Sequence, residues 1–254
     1  MKDRLDRAMV ARGLAPSRAR AQAEIKAGRV SVDGVTTAQP SHSVTSTADI
    51  QFCDYFIPFV SRGGIKLDHA LDHYAVDPAG QVCLDLGAST GGFTDVLLRR
   101  GAGHIYAVDV GRRQLHASLA SHARVTNLEA THAKTLSSAL VPRPPTLIVC
   151  DVSFISMRKV LGFAMALCPA DATVVSLVKP QFELGPGFIG RGGIVRAPDD
   201  EIGAMLSAVG DWFGAQGWRP QLVIESPITG GDGNHEYLIA AHKGHGCGIS
   251  REGN

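Results

Sequence analysis

Short apolar runs recur between residues 82 and 178, each of a length suited to a strand. Unbroken apolar runs are typical of central parallel strands, which are covered on both faces. Segments with helical spacing of apolar residues separate several of these runs, and this alternation predicts an open, doubly wound α/β sheet of the Rossmann-like kind. The predicted strands are 82–86, 104–108, 125–128, 147–150, 172–178, 221–225 and 235–240.

Helical patterns fill much of the space between and around these strands. The stretch from residue 66 to 76 places Leu67, Ala70, Leu71 and Tyr74 on one apolar face. Residues 184–197 hold five glycines and are expected to form a loop of the kind that often serves as a lid. The other predicted helices begin near Phe93 or cover 112–122, 152–167 and 199–216.

The first 54 residues have a different pattern, which predicts a separate small α+β domain. Two helices, 3–13 and 17–28, precede a strand from Val30 that runs into an Asp-Gly turn, and a further strand is predicted over Val44–Phe52. The predicted organisation is a domain at 1–54, a linker at 55–65, a larger domain at 66–242 and a flexible tail at 243–254.

Charge is nearly balanced over the chain, with a net charge of +1, but it is uneven along it. Residues 1–30 hold eight basic and three acidic side chains, which indicates either a solvated helix surface or a patch that binds phosphates. Five cysteines without a C-x-x-C pair suggest reduced thiols, buried at Cys83 and Cys150. The absence of an apolar signal segment or membrane-length run favours a cytoplasmic protein.

The stretch VCLDLGASTGGF, residues 82–93, combines a buried strand, a glycine-rich turn and the start of a helix. This succession is how α/β proteins hold nucleotide-like ligands. Asp109 ends the next predicted strand, where a carboxylate is placed to accept hydrogen bonds from a ribose. A nicotinamide fingerprint would need glycine at position 89, which is Ser89, so the pattern argues against a dinucleotide.

The spacing of aspartate and glycines instead resembles motif I of S-adenosylmethionine-dependent methyltransferases. The resemblance implies S-adenosylmethionine as cofactor, with the segment from Glu129 to Lys134 lining its adenosine side. The implied cofactor-binding residues are Asp85, Gly87, Ala88, Ser89, Gly91, Gly92, Phe93, Asp109, Glu129 and Asp151.

Charged residues follow or flank the predicted strands at the sheet edge where ligands bind in such folds. Lys66, Asp151, Lys179 and Glu236 are therefore expected to converge on one pocket. A lysine directly after an apolar strand needs partners or a task, and Lys179 is the clearest example. The set, in the contexts VSRGGIKL, CDVSFIS, VKPQFE and GNHEYL, resembles the Lys-Asp-Lys-Glu catalytic tetrad of RNA ribose 2′-O-methyltransferases.

With the N-terminal domain, residues 1 to about 241 resemble the hemolysin A-type (TlyA-like) ribosomal RNA 2′-O-methyltransferases. His132 and Lys134 depart from the Asn and Arg usual in that family, which affects expected cofactor contact only. The N-terminal pattern resembles the S-four-like RNA-binding domain, whose members recognise RNA shape and phosphates. The implied RNA-binding residues are Arg4, Arg7, Arg12, Arg18, Arg20, Lys26, Arg29 and Arg62.

The resemblance implies methyl transfer to a ribose 2′-hydroxyl of ribosomal RNA within ribosomal subunits, with Lys179 central. Lys179 would act as a base if neutral or as an electrostatic partner if charged. We expect a monomer that binds neither a metal nor a membrane. The alternatives are a catalytically inactive ribosome-assembly factor, disfavoured by the intact tetrad, and a membrane-lytic toxin, disfavoured by the lack of a membrane-type segment.

Overall fold

The computed structural model describes residues 2–52 and 59–244. The N-terminal part has two helices packed beside small antiparallel sheets, as predicted for an α+β domain. Strand β2 lies between β3 and β5, and β1 pairs with β4. The elements of this part are β1 (Lys2–Arg4), α1 (Leu5–Ala11), α2 (Arg18–Lys26), β2 (Val30–Val32), β3 (Val35–Thr37), β4 (Ser43–Thr45) and β5 (Ile50–Phe52).

Local signals explain the ends of these elements. The Ser17 hydroxyl accepts a hydrogen bond from the Arg20 backbone N–H and caps α2, as the sequence predicts. Asp33 and Gly34 both have positive φ, which is the turn geometry that joins β2 to β3. The strand predicted over Val44–Phe52 is wrong in its extent, because β4 and β5 are separate strands that pair with different partners.

The large sheet confirms the predicted Rossmann-like architecture. Its order is β11-β13-β10-β9-β6-β7-β8, with β12 also paired to β13. Strands β6 to β10 are parallel, and β13 is antiparallel to β10. The strands are β6 (Val82–Leu86), β7 (His104–Val108), β8 (Val125–Leu128), β9 (Leu147–Cys150), β10 (Thr173–Val178), β11 (Trp218–Pro220), β12 (Ile224–Glu225) and β13 (Tyr237–Lys243).

Helices cover both faces of this sheet, so successive strand residues enter different cores. Cys83 packs with α3 and α4 on one face, whereas Leu84 packs with α6 and α8 on the other. Cys83, Cys150 and Cys168 are buried free thiols; Cys53 and Cys247 lie outside the described residues. The helices of this part are α3 (Gly63–His73), α4 (Gly92–Arg99), α5 (Ala117–Ala120), α6 (Arg158–Met165), α7 (Pro180–Glu183) and α8 (Asp199–Ala215).

Several predicted boundaries are wrong, and side chains account for two of them. The helix predicted over 152–167 begins only at Arg158, because the Glu183 carboxylate accepts hydrogen bonds from the Met157 N–H and the Ser156 hydroxyl just before it. The helix predicted over 112–122 is reduced to α5, since the Glu129 carboxylate holds the Gln114 N–H in a loop.

The C-terminal strands also differ from the prediction. The segment 221–225 is a strand only over β12, and β11 precedes it. The last strand begins at Tyr237 because the Asn234 side chain hydrogen-bonds to the loop 184–197. Its amide oxygen accepts from the Val195 N–H, and its amide nitrogen donates to the Gly193 carbonyl. Asn234 thereby anchors the glycine-rich loop 184–197. Lys243, assigned to the tail by the sequence, is the last residue of β13, and 245–254 lie outside the described residues.

Candidate active site

The glycine-rich turn after β6 lies at the carboxyl edge of the sheet, against the residue that follows β9. A Cβ on Gly87 would lie 2.6 Å from the Asp151 carbonyl oxygen, so only glycine allows this approach. Gly87 also has a φ of +81°, which L side chains rarely adopt. The turn then leads into α4 through Gly91, at a φ of +100°.

Asp85 supports this turn from beneath. Its side chain is fully buried, and the Thr94 hydroxyl donates to it at 2.6 Å. Burial raises the pKa of Asp85 to about 7, against the opposing effect of the Thr94 hydrogen bond. Asp85 therefore ties the end of β6 to the first turn of α4.

Asp109 is in contact with the same turn from β7. Its carboxylate accepts from the Ser89 N–H at 2.8 Å and from the Gly111 N–H at 2.7 Å. Glu129 does not contact this turn but orders the loop that contains Gln114. Its carboxylate accepts backbone hydrogen bonds from residues 113–115, and these bonds lower the pKa of Glu129. Acidic side chains thus fix the turn and the neighbouring loop.

A first cavity of about 340 Å³ opens beside this turn. Four of the residues that the sequence analysis assigns to the cofactor contribute to it, namely Gly87, Ser89, Asp109 and Asp151. Gln114 and Ser153 also line it without having been predicted, and His132 lines it from the adenosine-side segment. The apolar part of the wall comes from Leu86, Val108, Val110, Ala133, Val152, Phe154, Ile155 and Val160.

The four predicted catalytic side chains form two ion pairs. Lys66 Nζ lies 2.5 Å from Glu236 Oε2, and both side chains are less than a tenth exposed. Lys179 Nζ lies 2.5 Å from Asp151 Oδ1 and 2.9 Å from the hydroxyl of Ser153. The structure therefore brings together residues that lie up to 170 positions apart in the sequence.

The surroundings of Lys179 favour its charged form. Burial lowers the pKa of Lys179, but Asp151 and Glu236 together outweigh burial and leave that pKa raised above its ordinary value. At neutral pH the side chain is then an ammonium group held between carboxylates. It is available as a hydrogen-bond donor, and its lone pair is not.

A second cavity of about 300 Å³ contains Lys66 and Lys179. The two cavities are neighbours, because both are lined by Gly87, Ser89, Asp151 and Ser153. The N-terminal part contributes Lys26 and Ala38 to the second cavity, and the wall is completed by Ser61, Arg62, Gly63, Ala88, Thr90, Gly92, Phe93 and Gly231.

Not every predicted site residue faces a cavity. Neither cavity is lined by four of the predicted residues, namely Asp85, Gly91, Glu129 and Glu236. Glu236 lies behind Lys66, and Gly91 packs against Leu119. Ser153 is the main residue that sequence reasoning missed, although its place two positions after Asp151 was a usable signal.

Most predicted RNA-binding arginines are engaged within the N-terminal part. Asp6 accepts from Arg4, Arg18 and Gln22, and these bonds hold its pKa far below the usual range. Arg12 donates to three backbone carbonyls at 45–48. The other ion pairs are Arg7–Asp3, Arg20–Glu24 and Arg29–Glu24. The arginine side chains of these pairs remain 46–63% exposed, so they still present charge to solvent.

The described residues can be searched for a membrane-spanning helix and for a cluster of metal ligands. Within residues 2–52 and 59–244, none of the helices is long and apolar enough to cross a bilayer. Over those same ranges, the histidine, cysteine and carboxylate side chains form no cluster of three suited to a metal ion.

Comparison with known proteins finds two family models that match this chain. Residues 59–243 match the family model for the FtsJ-like methyltransferases, and residues 3–50 match that for the S4 domain. The chain is 44% identical over 237 residues to the "16S/23S rRNA (cytidine-2′-O)-methyltransferase TlyA" of Mycobacterium tuberculosis, which covers 93% of this chain and 88% of that protein.

Two further relatives extend the likeness. "Hemolysin A" of Brachyspira hyodysenteriae is 38% identical over 92% of this chain and 98% of its own length. The solved "Putative hemolysin" from Streptococcus thermophilus superposes with a TM-score of 0.75 at 34% identity, covering 96% of this chain and 89% of that one. The chain therefore belongs to the FtsJ-like methyltransferase family, and its S4 domain and its relatives place it in the hemolysin A-type (TlyA) group of that family.

Proposed function

We propose that this protein transfers a methyl group from S-adenosylmethionine to a ribose 2′-hydroxyl of ribosomal RNA. The observation that carries the proposal is the place of Lys179. It is paired with Asp151 in one cavity, and Asp151 also lines the neighbouring cavity beside the glycine-rich turn. The relative named as an rRNA (cytidine-2′-O)-methyltransferase supports the same reaction and substrate class.

The first cavity fits the proposed cofactor. Apolar walls suit an adenine ring, and the Asp109 carboxylate stands where a ribose would need acceptors. The side chain missing at Gly87 leaves the turn free to approach the ligand and Asp151. When bound, the cofactor supplies an electrophilic methyl group on a sulfonium. We assign direct contacts to Gly87, Ser89, Asp109 and Asp151, the neighbouring wall to Ala88, Gly92 and Phe93, and support of the turn and its loops to Asp85, Gly91 and Glu129.

The tetrad supplies orientation and charge stabilisation. A charged Lys179 donates a hydrogen bond to the 2′-oxygen and stabilises the negative charge that develops as the hydroxyl proton leaves. We assign the Asp151 carboxylate as the acceptor of that proton. The buried Lys66–Glu236 pair holds its own lysine at the edge of the cavity, and Glu236 raises the pKa of Lys179. Holding hydroxyl and methyl in line contributes further acceleration.

The domain boundaries follow from the same proposal. We assign the RNA-binding domain to residues 1–54, as predicted. The methyltransferase domain, predicted at 66–242, is assigned an earlier start at Gly63, where α3 begins, and an end at Lys243, where β13 ends. The protein acts as a monomer in the cytoplasm, where its ribosomal substrate is found. The arginines of the RNA-binding domain and Arg62 contact RNA phosphates.

The decisive experiment incubates the protein with purified 30S and 50S particles and cofactor labelled in its methyl group. We expect label in RNA, recovered after digestion as a 2′-O-methylnucleoside. Label on a base instead would contradict the assignment of the tetrad. Tight binding to particles without transfer, at saturating cofactor, would favour an inactive assembly factor.

A further inference from the structure

Lys26 differs from the other predicted RNA-binding side chains of the S4 domain. Arg4, Arg7, Arg18, Arg20 and Arg29 make ion pairs with acids of the same domain, and Arg12 donates to carbonyls. In residues 2–52 and 59–244, Lys26 has neither an ion pair nor a side-chain hydrogen bond. It lies at the end of α2 and lines the second cavity together with Lys66, Asp151 and Lys179.

Contacts between the two domains hold α2 at this cavity. The Arg62 side chain passes directly over Gly28, where a Cβ would lie 2.2 Å from Arg62 Cδ. Arg62 also donates to the Thr229 carbonyl at 3.2 Å. Gln39 donates to the Asp232 carbonyl at 2.9 Å. Lys26, two residues before Gly28, is thereby placed opposite the tetrad.

The charges of the second cavity favour an anionic ligand. Lys66 and Lys179 are balanced by Glu236 and Asp151 in close pairs. Lys26 and Arg62 then leave an excess of positive charge at the mouth. Burial lowers the pKa of the Arg62 guanidinium and Glu236 opposes that effect, whereas Lys26 is exposed and has no carboxylate beside it among the described residues.

We propose that Lys26 binds a backbone phosphate next to the target ribose and so positions the 2′-hydroxyl at Lys179. The inference rests on the proposed function and adds a positioning residue supplied by the S4 domain. The S4 domain then does more than tether the enzyme to a subunit, because one of its side chains completes the substrate pocket. A phosphodiester is the anion that an RNA substrate necessarily brings beside its ribose.

The test compares Lys26→Ala with Lys2→Ala. Both variants remove one exposed lysine from the S4 domain, but Lys2 lies on β1 and lines a different groove. We expect Lys26→Ala to raise KM for ribosomal subunits about tenfold, because a charge-assisted phosphate contact is lost. The salt dependence of RNA affinity is expected to weaken by about one phosphate contact. Lys26→Arg is expected to restore most of the KM.

Cofactor affinity, measured by calorimetry without RNA, is expected to be unchanged in both variants. Equal effects of Lys26→Ala and Lys2→Ala on KM would show that Lys26 contributes only to the overall positive charge of the S4 domain, and this result would overturn the inference. An unchanged KM in Lys26→Ala would also overturn it. If the unmodified protein transfers no methyl group to subunits, the proposed function itself fails, and that result is distinct from either outcome for Lys26.

Discussion

Each lysine of the tetrad is paired with a carboxylate, and each lysine side chain is at most a tenth exposed. Such a buried pair costs free energy to desolvate and is disrupted when one partner is removed. Lys179 is the member with the most specific surroundings, since Ser153 accepts its hydrogen bond while Asp151 balances its charge. Its ammonium group is therefore fixed in direction as well as in protonation state.

Replacement of Lys179 tests its role directly. Lys179→Ala is expected to lower the rate of methyl transfer by at least about a hundredfold, because both orientation and charge stabilisation are lost. Cofactor affinity should change far less, since Lys179 does not line the first cavity. Lys159→Ala, an exposed lysine on α6, is the control in the same transfer assay. Full activity of Lys179→Ala would remove the tetrad from the mechanism.

Asp85 makes stability depend on pH. Its pKa is about 7 in the folded protein and near 3.9 unfolded, so between these values only the folded state holds the proton. Stability contributed by this group is present at low pH and is lost as pH rises toward 7.

Asp85→Asn removes this dependence. As pH rises from 5 to 7, the free energy of unfolding of the variant is expected to increase relative to that of the unmodified protein, by at most about 1.4 kcal/mol for each pH unit. Urea unfolding at several pH values measures the difference. A difference that stays constant with pH would show that Asp85 does not titrate in this range.

Residues next to apolar strands could be predicted from the sequence, and residues in irregular loops could not. Asp151 and Lys179 directly follow runs whose burial fixes their place at the sheet edge. Gln114 reaches the first cavity only because the Glu129 carboxylate binds its backbone N–H in a loop, where the sequence predicts a helix. The pairing of Arg18 with Asp6 likewise depends on the packing of α1 against α2, which periodicity does not specify.

At the scale of elements, the turn between β6 and α4 tolerates little change. Gly91 has a φ of +100°, and a Cβ there would lie 2.3 Å from Leu119 Cδ1 of α5. The turn is thus fitted both to its own backbone geometry and to a neighbouring helix.

Gly91→Ala is expected to destabilise the protein by roughly 1–3 kcal/mol, from backbone strain and overpacking together. It should also weaken cofactor binding, because the turn must shift. Gly203→Ala on α8 is the control, since nothing lies within 4 Å of a Cβ there. An exposed helical glycine replaced by alanine should stabilise by up to about 1 kcal/mol. Urea unfolding and calorimetry with S-adenosylmethionine measure both quantities.

Strands β6, β7, β9 and β10 could be predicted because each is a short and mostly apolar run. Helix ends were less predictable, since α6 owes its start to Glu183, which lies 25 positions after its first residue. A contact between distant segments leaves no trace in local periodicity. The same holds for β13, whose start depends on the bonds that Asn234 makes to loop 184–197.

At the scale of the whole molecule, the two domains meet where Arg62 crosses Gly28. Gly13 provides a natural comparison because it also follows a helix and has the same φ of +70°, but nothing lies within 4 Å of its Cβ position. Gly28→Ala and Gly13→Ala therefore carry similar backbone strain, and only the first disturbs the contact between domains.

We expect both variants to destabilise the S4 domain by about 1 kcal/mol. Only Gly28→Ala is expected to reduce methylation of ribosomal subunits further, because Lys26 and Arg62 would move relative to the tetrad. Transfer assays and unfolding of the full-length proteins make the comparison. Equal activities would indicate that the domain contact does not position the substrate.

The ion pair between Lys66 and Glu236 joins α3 to the residue directly before β13, across 170 positions of sequence. During translation, 170 positions separate the synthesis of Lys66 from that of Glu236. The tetrad is therefore incomplete until those residues have been added, and methyl transfer that depends on all four side chains cannot begin earlier.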